Sequence, residues 1–133
     1  MKRFLKFGLI WVVFITIVGK GFSNEVVLLR IESAITPSSS SQILKAIRFA
    51  EKRSSNALVL QLNTPGGLLE STREIVSNIL NARIPIIVYV APSGARAGSA
   101  GVFITLSAHI AVMAPGTNIG AAHPVGLQGE ADS

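Results

Sequence analysis

Residues 57–91 read ALVLQLNTPGGLLESTREIVSNILNARIPIIVYVA, and the reading of this stretch decides the fold. It opens on a short apolar run, Ala57 to Leu62, of the kind found in buried parallel strands. NTPGG follows as a turn, since Pro and Gly punctuate regular structure. In LLESTREIVSNILNAR the residues Leu68, Leu69, Thr72, Ile75, Val76, Ile79 and Leu80 recur at helical spacing. Pro85 then restarts the chain, and IPIIVYVA is a second strand of the buried type.

The same alternation extends to both sides. Upstream, EVVLLRIESAI predicts a strand with apolar Val26 to Leu29 and Ile31. TPSSSS is a turn leading into a helix, with Thr36 able to cap and Pro37 suited to a first helical position. The helix SQILKAIRFAEKRS places Ile43, Leu44, Ile47 and Ala50 on one face and Lys45, Arg48 and Lys52 on the other. Asn56 ends it. Downstream, GARAGSAG (Gly94–Gly101) reads as a loop, and SAGVFITLSA, apolar nearly all round, as a buried helix. HIAVMAP predicts a further strand and GTNIGAAHPVG a loop. Strands alternating with helices in this order specify an α/β fold with a largely parallel sheet.

The first residues have another character. Lys2, Arg3 and Lys6 precede an apolar run, Phe7 to Val18, which leads to the small-x-small triplet Gly21-Phe22-Ser23. That is the layout of a secretory signal peptide over residues 1–23, and the run is short for a membrane span, which needs about 20 residues. An amphipathic anchor is the alternative. The formal charge of +5 first suggests nucleic acid. Four of the twelve basic residues, Lys2, Arg3, Lys6 and Lys20, lie in the signal, however, and the eight left face seven acidic ones. The basic balance therefore belongs to the export segment, and a nucleic-acid partner loses its support. With no cysteine, neither disulfides nor a thiolate metal site can form; two histidines without an acidic cluster leave no basis for a metal centre.

In open α/β sheets, sites form in the crevice beyond the carboxyl ends of the strands. Both NTPGG and GARAGSAG leave predicted strands at that edge. A serine nucleophile needs an exposed hydroxyl, a base and N–H donors for the oxyanion. Ser99, where a loop turns into a helix, lies near free N–H groups and the positive end of the helix dipole. Gly98 and Gly101 leave room for a substrate carbonyl, and Gly66 and Gly67 can turn N–H groups toward the same point. Each motif also has a plainer reading: PGG as a turn, GSAG as close helix packing.

LQLNTPGG, the amphipathic helix after it, the segment IPIIVYVAPSGARAGSAGVFITLSAHIAVMAPGTNIGAAHPVG and the export signal together resemble NfeD-like membrane-bound serine proteases. These belong to the Clp-protease class and are related to signal peptide peptidase A and the wider crotonase-like fold. The resemblance runs from about Val26 to the C-terminus. It implies a domain of repeated β-β-α type and a serine endopeptidase with a Ser–Lys dyad and no cofactor. Ser99 falls on the nucleophile, Gly66 and Gly67 on the oxyanion loop, and the Ala100 N–H on the second donor. It also implies a membrane-associated, extracytoplasmic protein that is homo-oligomeric and acts on hydrophobic segments of membrane proteins, with a stomatin-like partner. The family lysine lies farther downstream than Ser133, and no lysine follows Lys52. Residues 24–133 are therefore expected to be the N-terminal part of the protease domain, incomplete at the C-terminus and inactive alone.

His123 offers a different base, because AAHPVG resembles the segment carrying the catalytic histidine of the Clp protease. A neutral imidazole is a suitable proton acceptor, but such a triad needs an orienting acid. The acidic residues after Glu74 are Glu130 and Asp132 in the tail. His109, opening a strand, reads as structural, and Arg96, always protonated, can contact substrate carbonyls but cannot act as base. Two further readings compete: a non-catalytic scaffold that keeps the fold without the dyad, and an acyl-CoA enzyme of crotonase type. The export signal opposes the second, because CoA substrates are intracellular.

Overall fold

A computed structural model describes residues 24–121. The signal-peptide expectation and His123 lie outside them. Four strands form one sheet in the order β1 (Val26–Ile31), β2 (Ala57–Leu62), β3 (Ile86–Val90), β5 (Ile110–Met113), every pair parallel. The register sets Leu29 beside Leu60 and Leu60 beside Val88. These residues face three helices, α1 (Pro37–Lys52), α2 (Leu69–Leu80) and α3 (Ala100–Ser107), with α1 packed on α2 and α2 on α3. Because each crossover advances by one strand in the same direction, a constant right hand delivers all the helices to one face.

The core lies between that face and the helices. Leu58, Leu60, Leu62, Val88 and Val90 meet Ile43, Ile47, Ile75, Ile79 and Ile104 there. α1 begins earlier than its apolar spacing suggests, because Thr36 and Ser39 form a reciprocal capping box ahead of Ile43. Its end is set by Ser54 in the left-handed region, φ 53°. The opposite sheet face carries Val26, Leu28, Ile110 and Val112, all exposed.

Three expectations need correction. GARAGSAG is not all loop: Arg96–Gly98 is a strand, β4, and it pairs in parallel with β6 (Asn118–Gly120), inside the segment read as a second loop. Strands of three residues carry too few side chains for a period to register. The helix read as buried shows Phe103 and Leu106 to solvent, Leu106 at 74%. Likewise Leu69 and Leu80, counted on the apolar face of α2, are exposed. They line, with Val76, Phe103 and Leu106, a groove of about 620 Å³ between α2 and α3. Among the described residues, no helix is long and apolar enough to cross a membrane.

Candidate active site

Both glycine-bearing loops meet at the carboxyl edge of the sheet, held by backbone hydrogen bonds. The Thr64 N–H donates to the Arg96 carbonyl at 2.8 Å, and the Gly98 N–H donates to the Thr64 carbonyl at 2.9 Å. β4 is thus clamped between the NTPGG segment on one side and β6 on the other. On the far side of NTPGG, Ile35 bridges Gly67: its N–H donates to the Gly66 carbonyl and its carbonyl accepts from Leu68, both at 2.8 Å.

Ser99 stands at the centre of this layer. It is the N-cap of α3, with φ 47° and ψ −107°, a conformation costing of order 1–3 kcal/mol for a residue with a side chain. A serine at that position ordinarily caps, its hydroxyl accepting from the first helical turn. Here the hydroxyl makes no cap bond. The Ser99 backbone is fixed instead, its N–H donating to the Gly120 carbonyl at 2.9 Å. The side chain is half-buried. The sharp strand-to-helix turn holds it up without using its oxygen.

Gly66 lies against that side chain. A Cβ there would be 2.8 Å from Ser99 Cβ and 3.3 Å from its Oγ, and φ is +123°. Only glycine accepts both the dihedral and the contact. The two glycines of the loop differ in role. Gly66 is buried and its N–H donates to Thr64 Oγ1 at 3.2 Å. Gly67 is exposed, and among the described residues its N–H has no acceptor. The N–H of Ala100, in the first turn of α3, is equally unused among the described residues. Ala100 itself is 4% exposed.

The room read into Gly98 and Gly101 is taken. A Cβ on Gly98 would meet the Pro65 carbonyl oxygen at 2.8 Å, and one on Gly101 would meet Thr64 Cγ2 at 2.8 Å. Close packing explains these two glycines. Arg96 is exposed on β4, its backbone N–H donating to Asn63 Oδ1 at 3.1 Å. His109 belongs to the other end of the sheet. Its Nδ1 accepts from the Ile86 N–H at 3.0 Å at the start of β3, which leaves the ring proton on Nε2. It is structural, as its place before a strand suggests. Lys45 and Lys52 are exposed on α1. Thr64 carries no signal in the sequence beyond the ability of a threonine hydroxyl to bond its own backbone two residues on, which is what links it to Gly66.

The family described as NfeD1b, N-terminal domain, matches residues 25–133. The chain belongs to this family. It is 41% identical over 102 residues to the membrane-bound protease PH1510 of Pyrococcus horikoshii, covering 77% of this chain and 23% of that protein. To the membrane protein NfeD1b of Bacillus subtilis it is 33% identical over 112 residues, 84% of this chain and 25% of the relative. The fold matches a solved membrane-bound stomatin-specific protease, 1510-N, in a lysine-to-alanine mutant bound to a substrate peptide. That match has a TM-score of 0.76 at 39% identity and covers 81% of this chain and 51% of the other. ClpP1 of Listeria monocytogenes shares the fold, with a TM-score of 0.65 at 23% identity over 75% of this chain and 57% of that one. The expected Clp-protease-like α/β fold is therefore borne out. The chain spans about a quarter of the length of the curated relatives it matches.

Proposed function

We propose that this chain carries the nucleophile and oxyanion half of a membrane-associated serine endopeptidase. The observation that carries the reading is Ser99: strained, at an N-cap it does not cap, and pressed against the backbone of a glycine loop with an unused N–H. Ser99 Oγ attacks the scissile carbonyl and gives its proton to a base. The carbonyl oxygen, now negative, accepts from the N–H groups of Gly67 and Ala100. Gly66, also expected among the donors, serves better as the wall behind the serine, since its N–H is already committed to Thr64. Collapse of the intermediate releases the amine, protonated by the same base, and leaves an acyl-Ser99 for water to hydrolyse. One such donor is worth about 2.7–4 kcal/mol of transition-state stabilisation.

The base comes from outside residues 24–121: a lysine of a longer protein, making a Ser–Lys dyad, or else His123. His109, bound to Ile86 at the amino-terminal edge of the sheet, does not serve. With a lysine as the base the 133 residues are inactive alone; with His123 they hold both groups. The substrates are hydrophobic segments of membrane proteins, as the family resemblance implies, and include a stomatin-like protein, since a solved relative is named as stomatin-specific. Export through residues 1–23 places the domain outside the cytoplasm, and the working form is a homo-oligomer.

Ser99→Ala in the complete protein tests the reading. It should abolish cleavage of an apolar peptide while leaving the melting temperature at or above wild type; undiminished cleavage would overturn it. The scaffold reading is favoured by the placement of the described histidine and lysines: His109 is bound to Ile86 at the far edge of the sheet, and Lys45 and Lys52 are exposed on α1. It predicts no Ser99-dependent cleavage by the complete protein under any condition.

A further inference from the structure

We propose that Thr64 is the positioning residue of this site, the single side chain to which both catalytic loops are referenced. The inference rests on the peptidase reading above. Thr64 is fully buried, at 0% exposure, and every polar group it owns is directed at one of the two loops. Its backbone N–H and carbonyl bind Arg96 and Gly98, which brackets β4 directly before Ser99. Its hydroxyl accepts from the Gly66 N–H and donates to the Gly66 carbonyl, each at 3.2 Å. Its methyl group, Cγ2, fills the space beside Gly101 in the first turn of α3.

These contacts divide the side chain by task. The hydroxyl clasps both polar groups of Gly66, and so fixes the peptide plane that leads into the Gly67 N–H. The methyl abuts the turn that carries the Ala100 N–H. Two donors on separate loops are thereby held at a set spacing across Ser99. Both hydroxyl bonds are long, so their contribution to stability is small. Their contribution to placement is not, because a displacement of about 1 Å in a catalytic array costs on the order of 100-fold in rate. Serine would keep the clasp and lose the methyl; valine would keep the shape and lose the clasp.

The experiment uses the complete protein and an apolar peptide, with Ser99→Ala, Thr64→Val and Thr64→Ser compared to wild type for kcat, KM and melting temperature. Amide hydrogen exchange is followed in parallel. Thr64→Val should lower kcat roughly 10- to 100-fold with KM changed less than about 3-fold, the signature of a lost transition-state contact. It should also speed exchange at Gly66 about 10-fold or more while Leu60 and Val88 keep their protection. Thr64→Ser should retain kcat within about 3-fold. Ser99-dependent cleavage that is indifferent to Thr64→Val overturns this inference alone. So does a larger kcat loss in Thr64→Ser than in Thr64→Val, which would make packing of the methyl, and not the hydroxyl clasp, the task of the residue. Cleavage that survives Ser99→Ala overturns the peptidase reading, and the inference falls with it.

Discussion

Replacing Gly67 by alanine tests the architecture of the site most sharply. A Cβ built there lies 2.1 Å from the Ile35 carbonyl oxygen, 2.5 Å from its nitrogen and 2.7 Å from its carbonyl carbon. Ordinary contact begins at 3.4 Å, so the two segments must part by more than an ångström. Backbone, not a pliable side chain, stands in the way. Parting breaks the Ile35 N–H to Gly66 bond and the Leu68 N–H to Ile35 bond, both 2.8 Å. Ile35 is fully buried, so its groups gain no water in exchange. Each unsatisfied group costs about 1–3 kcal/mol, giving a loss of roughly 2–6 kcal/mol for the pair. In a domain of this size about 1 kcal/mol lowers the melting temperature by about 4–8 °C, so a drop of at least about 8 °C should be seen by circular dichroism. Gly120→Ala is the control, for nothing lies within 4 Å of its built Cβ, and it should melt near wild type. A Gly67→Ala protein melting within about 2 °C of wild type would refute the close approach of Ile35 on which the site's layering rests.

Two further changes probe the strain at the serine and the far edge of the sheet. Ser99→Gly should stabilise the fold by about 1 kcal/mol, because glycine relaxes the φ 47° conformation, while removing all chemistry; urea denaturation reads the gain, and an unchanged midpoint would show that the turn stores no strain. His109→Ala leaves the buried Ile86 N–H without its acceptor and should cost about 1–3 kcal/mol, with faster exchange at that amide. Per folded molecule, the complete protein carrying His109→Ala should cleave at the wild-type rate, since the ring sits at the edge of the sheet away from Ser99.

The α/β class was legible because its signals are local. Ala57–Leu62 and Ile86–Val90 are apolar runs of strand length, and Thr36 with Pro37 announces α1. The spacing of Thr72, Ile75 and Ile79 marks the buried face of α2 correctly. The same spacing misplaced Leu69 and Leu80, for periodicity reports which residues share a side of a helix and not whether a neighbour covers them. α3 shows the same limit: an apolar composition cannot say that Leu106 will stand 74% exposed beside a groove.

Ser99 and the two loops were likewise marked in advance by glycine content and by their place after strands. What each glycine does was not. Gly66 and Gly67 are adjacent and chemically identical, yet one is buried with its N–H taken by Thr64 and the other is exposed with its N–H unused among the described residues. The sequence by itself determined the order of the helices and of the four strands of the main sheet, and it marked Ser99 as the candidate nucleophile, since both follow from side-chain type and local spacing. Only the tertiary structure decided that NTPGG, β4 and β6 form one layer, and that Ser99 is held off its own helix. Those facts rest on hydrogen bonds between backbones, such as Thr64 to Arg96 and Ser99 to Gly120, which leave no imprint on side-chain pattern.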